Sequence, residues 1–422
     1  MSSVQLTHPG IDADRWPDVA RVPATSGAAR RAAALLVRHA VARLPLCVEM
    51  PDGRRLGAGG PTLEVRDADA FHARLAADGL VGFGESHLAG EWEAPDLVAV
   101  LTVLAEHVAT LVPGPLQRLR GLWAPRQPDR NRNTPDGSRR NIAHHYDLSN
   151  DLFALFLDET MTYSSGIFHD LPADHGDLVE AQHRKIDRLL DLAEVGPGTD
   201  LLEIGTGWGE LALRAAARGA LVTTVTLSAE QRDLARRRVA AAGLADLVSV
   251  ELRDYRELTG RYDAVVSVEM IEAVGAEFWP GYFERVHALL RPGGLAAIQA
   301  ITMPHDRMLA SRDTHTWIRK YIFPGGQLPS VEAVETSLPH GLHTVRRDAF
   351  GPHYAQTLRL WEEAFTARAD EVARLGFDDV FRRMWRFYLA YSEAGFRAGY
   401  LDLQQFLLRR DPAAAPVVPE GR

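Results

Sequence analysis

A chain of 422 residues is too long for one ordinary core and predicts two domains, or one large domain with an appended one. Its composition is that of a globular protein, 46% hydrophobic and 24% charged. With 47 basic against 56 acidic residues it carries a formal charge of −9, which argues against wholesale nucleic-acid binding and leaves room only for a local basic patch facing anionic lipid.

The N-terminal MSSVQLTHPGIDADRW lacks the basic and apolar regions of a signal peptide. The one cysteine, Cys47, excludes a disulfide framework or a Cys-based zinc site within the chain and fits a reducing cytoplasm. Residues 1–122 read as a first, smaller α+β or helical unit. It holds a helical stretch (Ala28 to Arg43), a strand and turn (LPLCVEMPDGRR), and a helical run after Pro95-Asp96. That run, Leu97 to Val112, is interrupted by Glu106 and His107, and no apolar run reaches the ~18 residues of a membrane span. Residues 123–140 then break all periodicity and predict a basic, mobile linker. Between Arg118 and Arg140 seven arginines face two aspartates. Two readings stay open: a solvated linker, or a landing strip for anionic headgroups worth about 1 kcal/mol per basic residue near the surface.

From residue 141 to 422 the pattern alternates helices with short apolar strands: T-D-L-L-E-I-G, A-L-V-T-T-V-T-L, L-V-S-V-E-L, Y-D-A-V-V-S-V and G-L-A-A-I-Q-A-I. Near-continuous apolar strands separated by helices predict an α/β, mostly parallel, doubly wound sheet. Ligands then bind outside the carboxyl ends of the strands.

The first strand runs into E-I-G-T-G-W-G, Glu203 to Gly209. Gly205, Gly207 and Gly209 permit a tight turn and close ligand approach at a helix N-terminus. The G-x-G-x-G spacing without a following Lys-Ser/Thr excludes a P-loop. A plain turn and a dinucleotide site remain as alternatives. The acid two residues before the first glycine suits a cation such as a methionine-derived sulfonium and would repel a pyrophosphate. Thr226-Leu227-Ser228-Ala229-Glu230-Gln231 follows the second strand at ribose distance, although Ser228 also reads as a helix cap. Asp254-Tyr255 follows the third, where an acid accepts from an adenine amine and a ring covers its face. Together these point to an S-adenosylmethionine site built from Glu203, Gly205, Gly207, Trp208, Gly209, Thr226, Leu227, Ser228, Gln231, Asp254 and Tyr255. The fourth strand ends in two acids, Glu269 and Glu272, which strand-end placement makes site candidates.

H-Y-D-L-S-N-D-L-F-A-L-F-L-D-E-T-M-T-Y-S-S-G-I-F, E-I-G-T-G-W-G, T-L-S-A-E-Q and T-W-I-R-K-Y-I-F-P-G-G-Q-L-P-S resemble stretches of the cyclopropane-fatty-acid synthase family, S-adenosylmethionine-dependent methyltransferases. G-F-G-E-S-H-L-A-G-E-W extends the resemblance into the first unit. I-E-A-V-G, A-I-Q-A-I-T-M-P and P-H-Y-A-Q-T-L-R-L-W look like the actinobacterial branch that makes 10-methylene-stearoyl chains, precursors of tuberculostearic acid.

The resemblance implies a class I methyltransferase, Rossmann-like fold with helical insertions. It implies methyl transfer to the cis double bond of an oleoyl chain in membrane phospholipid, with cyclopropane closure as the alternative outcome. The first unit would serve lipid docking. The enzyme would be cytoplasmic and peripheral on the inner membrane face, with a reductase as the expected downstream partner, no nucleic acid, and homo-oligomerisation left open. It also implies a bicarbonate base, held by Glu272, Tyr354 and the backbone at Ile301. Two positions depart: Ser165 stands where the family has Cys, and Gln299 where it has His, so its amide donates but carries no proton. Ala273 replaces a further His. Tyr163 and Ser164, in the same T-Y-S-S-G, are carried over as cofactor contacts. Whether Glu272 itself or bicarbonate takes the proton stays open, and Glu269 reads as a cap or ion-pair residue.

An alkene has no proton to remove first. Methylation makes a carbocation, which asks for a dry site lined by rings and one base. Tyr163, Phe168, Trp279, Trp317, Tyr321, Phe323 and Tyr354 are the candidate rings, against ordinary core packing for each. His144 and His145 read equally as helix entry or substrate contacts. A methyltransferase of a soluble small molecule and a non-catalytic membrane-binding protein are the competing functions.

Overall fold

The computed structural model describes residues 8, 10–108, 133–134, 137, 149–312 and 314–412. Most of the predicted linker, with His144 and His145, lies outside the described residues. The chain divides into two compact units that do not follow sequence order. One takes Met1–Asp129, Asp313–Pro324 and Tyr354–Leu401, and the other takes Arg130–Arg312, Gly325–His353 and Asp402–Arg422.

In the first unit, helix Gly27–Val41 is capped by Ser26, whose Oγ accepts from the Ala29 N–H. A small sheet follows: β1 (Cys47–Glu49), β2 (Arg55–Leu56), β3 (Thr62–Val65) and β4 (Trp92–Glu93), in the order β2-β1-β3-β4. Helix Ala68–Leu88 lies between β3 and β4 in sequence and breaks at Gly79, whose φ of 53° and ψ of −122° no helix contains. The helical run after Pro95 spans Leu97–Glu106, capped by Asp96. It packs on the long helix Asp379–Arg397, whose apolar stripe includes Val380, Phe387 and Ala394. Arg74 is fully buried here, yet Glu91 takes its Nε–H at 2.8 Å and the Asp18 and Val19 carbonyls each accept from one of its terminal nitrogens. A buried guanidinium is tolerable only when it is paired and hydrogen-bonded in this way.

The second unit is built on a seven-stranded sheet. Its strands are β5 (Asp200–Ile204), β6 (Leu221–Thr226), β7 (Val248–Leu252), β8 (Tyr262–Val268), β9 (Leu290–Thr302), β10 (Leu342–Ala349) and β11 (Asp402–Arg410), in the order β10-β11-β9-β8-β5-β6-β7. β5 to β9, the five predicted strands, are parallel. β11 enters antiparallel between β9 and β10.

Alternation sorts the strand side chains between two cores, one on each face. Leu201, Val222 and Val266 join helices Leu178–Leu192 and Glu210–Ala217 in one core. Leu202, Val225, Val265 and Ile298 join helix Trp279–Leu289 and Phe406 in the other. β5 has β8 on one side and β6 on the other, so the chain reverses its direction of strand addition there. The carboxyl ends of β5 and β8 flank that switch point, where α/β sheets bind ligands.

Candidate active site

The turn after β5 needs its glycines. Gly205, Gly207 and Gly209 have φ of 101°, 52° and 95°, a region that costs other residues about 1 kcal/mol or more. A Cβ on Gly205 would also stand 2.7 Å from Met270 Cγ, whereas at Gly207 nothing lies within 4 Å. The backbone at Gly207 therefore borders open space.

That space is a cavity over the strand ends. Glu203 and the turn through Trp208 line it from β5. Thr226, Leu227 and Gln231 line it from β6, and Arg253, Tyr255 and Arg256 from beyond β7. Glu269, Met270 and Ala273 come from the end of β8, with Tyr163, Ser164 and Lys185 closing it from residues earlier in the chain. Thr226 Oγ1 donates to Gln231 Oε1 at 2.8 Å, which fixes both side chains. Trp208 Nε1 donates to Asn150 Oδ1 at 2.7 Å.

Three predicted cofactor residues stand differently. Ser228 caps helix Ala229–Ala241 through the Gln231 N–H and does not line the cavity. Gly209 serves as the cap of helix Glu210–Ala217 and is also outside the lining. Asp254 is buried, but its carboxylate is clasped by Arg256 at 2.9 and 2.6 Å and is not part of the wall; its neighbours Arg253, Tyr255 and Arg256 are.

Burial sets the electrostatics. The Glu203 carboxyl is pushed up to about 8, chiefly by burial. Its Oε2 has no hydrogen-bond partner among the described residues. An unsatisfied buried carboxyl at the cavity wall favours a cationic ligand. Lys185, unnoticed in the sequence, is buried as well. Burial pulls it down to about 8, opposed by Glu269, Asp158 and Glu203, and its Nζ donates to Ser164 Oγ at 2.6 Å. The available signal was spacing: Leu178, Ala181, Lys185 and Leu189 recur at three and four residues, the buried stripe of a helix.

The two acids beyond β8 stand in different surroundings. Glu269, read as structural, lines the cavity. Its Oε1 accepts from the Ser165 N–H at 3.1 Å and from Gln299 Nε2 at 2.9 Å. Glu272 lies outside the lining. Its Oε1 accepts from the Ile301 N–H at 2.5 Å and its Oε2 has no hydrogen-bond partner among the described residues. Burial, then repulsion from Glu269, pushes Glu272 up to about 8. Ser165, Gln299, Ile301 and Glu272 are thus brought together around the strand ends, as the motifs implied. Tyr354 belongs to the other compact unit, where it is buried against Phe396 at 4.6 Å.

Of the seven candidate rings, only Tyr163 lines the cavity. Trp279 is packed in the second unit's core, its Nε1 donating to the Ile271 carbonyl, and Phe168 stacks on His353. Trp317, Tyr321 and Phe323 pack within the first unit; Tyr321 donates to Glu85 at 2.8 Å.

A parallel sheet with a glycine turn after its first strand and a cavity over the carboxyl ends is the architecture of class I methyltransferases. Residues 133–406 match the family described as mycolic acid cyclopropane synthetase, and the chain belongs to that family. The tuberculostearic acid methyltransferase UfaA1 of Mycobacterium tuberculosis is 56% identical over 421 residues, covering 96% of this chain and 98% of that one. The cyclopropane-fatty-acyl-phospholipid synthase of Escherichia coli is 34% identical, covering 84% of this chain and 89% of its own. Among solved structures, mycolic acid cyclopropane synthase CmaA1 complexed with SAH and CTAB superposes with a TM-score of 0.59 at 33% identity, covering 64% of this chain and 98% of that one.

The raised carboxyls make the ligand-free chain sensitive to pH. Between about 4.5 and about 8 the folded chain keeps a proton on Glu203 that the unfolded chain has lost. The unfolded state then binds fewer protons, so this group lowers stability as pH rises through that window. Glu203→Gln should therefore melt like the wild type at pH 5 and several degrees higher at pH 8.5, read by thermal denaturation without ligand. Equal melting temperatures at both pH values would show that Glu203 is not held neutral.

Proposed function

We propose that this chain transfers the methyl group of S-adenosylmethionine to the cis double bond of an oleoyl chain in phospholipid and leaves a 10-methylene group. The observation that carries the reading is the 56% identity to a tuberculostearic acid methyltransferase over almost the full length of both chains. The cavity supports it. Glu203 brings an unsatisfied buried carboxyl to a cationic cofactor, Gly207 leaves open space beside it, and Tyr255, Thr226 and Gln231 line the same cavity. When bound, S-adenosylmethionine supplies an electrophilic methyl group on a sulfonium. The residues of this chain orient it, keep water out and receive the proton released after transfer. Tyr354 enters this reading on its family motif alone.

A bicarbonate base fits this donor set poorly. The Ser165 N–H and the Gln299 amide already donate to Glu269, and the Ile301 N–H to Glu272.

A peripheral place on an anionic membrane face accords with helix Gly27–Val41. Leu35 and Leu36 are exposed there, 66% and 41%, beside exposed Arg31 and Arg38. Among the described residues no helix is long and apolar enough to cross a membrane. A 10-methylene chain is an alkene, so its saturation calls for a separate hydride-donating reductase. Whether copies of the chain associate is open to direct measurement of mass in solution.

Expression in a bacterium that makes oleoyl phospholipid should add 14 mass units to the C18:1 acyl pool. Ozonolysis of the fatty-acid methyl esters should then yield a 10-keto ester. A ring resistant to ozone would assign cyclopropane closure instead, and an unchanged acyl pool with folded protein present would defeat the reading.

Cofactor binding should also move protons. A cation beside Glu203 favours its ionised form, so binding should release a proton and tighten as pH rises from 6 to 8. Calorimetry in buffers of different ionisation enthalpy measures that release, which Glu203→Gln should abolish. Gly207→Ala should fold but bind at least ten-fold more weakly, since a methyl enters the open space at a backbone φ of 52°.

A further inference from the structure

Glu269 is the group that the proposed reaction leaves unassigned. Its backbone has a φ of 52°, in the left-handed region where glycine is at ease and other side chains pay about 1 kcal/mol or more. Such strain persists only where the surroundings hold it, and the surroundings here are specific. The Glu269 N–H donates to the Gln299 carbonyl at 2.8 Å, while the carboxylate takes the Ser165 N–H and the Gln299 side chain.

The direction of the Gln299 amide is forced from a distance. Arg188 can only donate. Its Nε–H therefore meets the oxygen of Gln405, at 3.0 Å. Gln405 must then present its NH2 to Gln299 Oε1, at 2.9 Å. Gln299 in turn can present only its NH2 to Glu269. Asp348 anchors the far end by pairing with Arg188 at 2.5 Å. This one-way relay lies in the second unit, spans β11, β9 and the end of β8, and delivers a donor suited to an anion.

The anion already there is the side chain of Glu269, on the cavity wall beside the methyl donor's place. Glu272 is the less suitable base, because it lies outside the cavity lining and burial holds its carboxyl largely neutral near pH 7, whereas Glu269 lines the cavity and accepts two N–H donors.

We propose that the Glu269 carboxylate is the resident proton acceptor of this chain, occupying the position that a free carbonate-type anion would take. The inference rests on the methyl-transfer reading above. When the methyl leaves the sulfonium for one alkene carbon, the cofactor becomes a neutral thioether and the other carbon becomes cationic. A hydride shift from the methyl-bearing carbon moves the charge onto that carbon. Glu269 then takes one proton from the added methyl, the C–H electron pair becomes the exocyclic double bond, and the carboxyl later returns its proton to solvent. Gln299, Gln405 and Arg188 act as positioning residues.

Two measurements on the purified full chain test this. The first is a titration with 13C-bicarbonate followed by NMR. The wild type should not bind it, whereas Glu269→Gly, which suits the backbone and empties the position, should. Binding to the wild type with an affinity equal to that of the variant overturns the proposal. The second is turnover on oleoyl-phosphatidylglycerol vesicles with radiolabelled S-adenosylmethionine in buffer stripped of carbon dioxide. The wild type should be indifferent to added bicarbonate. Glu269→Gln should be about 100-fold slower or worse, in keeping with loss of a general base, with cofactor affinity within threefold. Added bicarbonate or formate should speed Glu269→Gly at least ten-fold. A wild-type rate that requires bicarbonate, or a Glu269→Gln rate within threefold of wild type, overturns it. A wild type that methylates no lipid under either condition refutes the functional reading instead, and the titration still decides who fills the anion position.

Discussion

Three carboxyls at the carboxyl ends of two adjacent parallel strands govern this site, and burial decides what each can be. Glu203 sits within β5 and Glu269 and Glu272 follow β8, where an ionised group without partners is expensive. The sheet answers differently in each case. Glu203 and Glu272 each keep an oxygen without a partner among the described residues and are pushed toward the neutral form. Glu269 is given donors from Ser165 and Gln299. Neighbouring groups of one chemical type are thereby given different surroundings, the kind of arrangement from which acid and base roles are made.

The supports of that arrangement lie well away from the cavity. β11 contributes Gln405, which holds Gln299 on β9, and helix Leu178–Leu192 contributes both Arg188 and Lys185. The antiparallel β11 is therefore more than an edge extension of a parallel sheet. By pairing with β9 it places the buried Gln405 opposite Gln299. A buried polar pair there is costly unless completed, and Arg188 completes it.

Legibility in the sequence followed the physics of each element. β5 to β9 were readable because strands buried on both faces are continuous apolar runs. β10 and β11 were not, since L-H-T-V-R-R-D-A and D-L-Q-Q-F-L-L-R-R are broken by polar and charged residues that lie on an exposed edge or in the relay. The glycine turn was readable because positive φ leaves a compositional mark. Asp254 could not be told from a ligand acceptor, because its partner Arg256 is only two residues on and spacing alone does not say whether an acid faces a neighbour or a pocket. Lys185 hid for the same reason in an amphipathic helix. The division of the chain into compact units was also beyond reach, since residues 313–324 and 354–401 join the N-terminal segment through tertiary packing.

The different surroundings of Glu269 and Glu272 have one local cause. Both follow the same strand, and motif position singles out Glu272. The left-handed backbone of Glu269 turns its side chain back across the end of the sheet toward Ser165 and Gln299, while Glu272, in the short helix Ile271–Val274, is turned to the Ile301 backbone. The replacement of a titratable histidine by Gln299 then stops being a loss. A histidine at this position offers a proton that can move, whereas a glutamine held by Gln405 offers a fixed donor, directed at the neighbouring carboxylate.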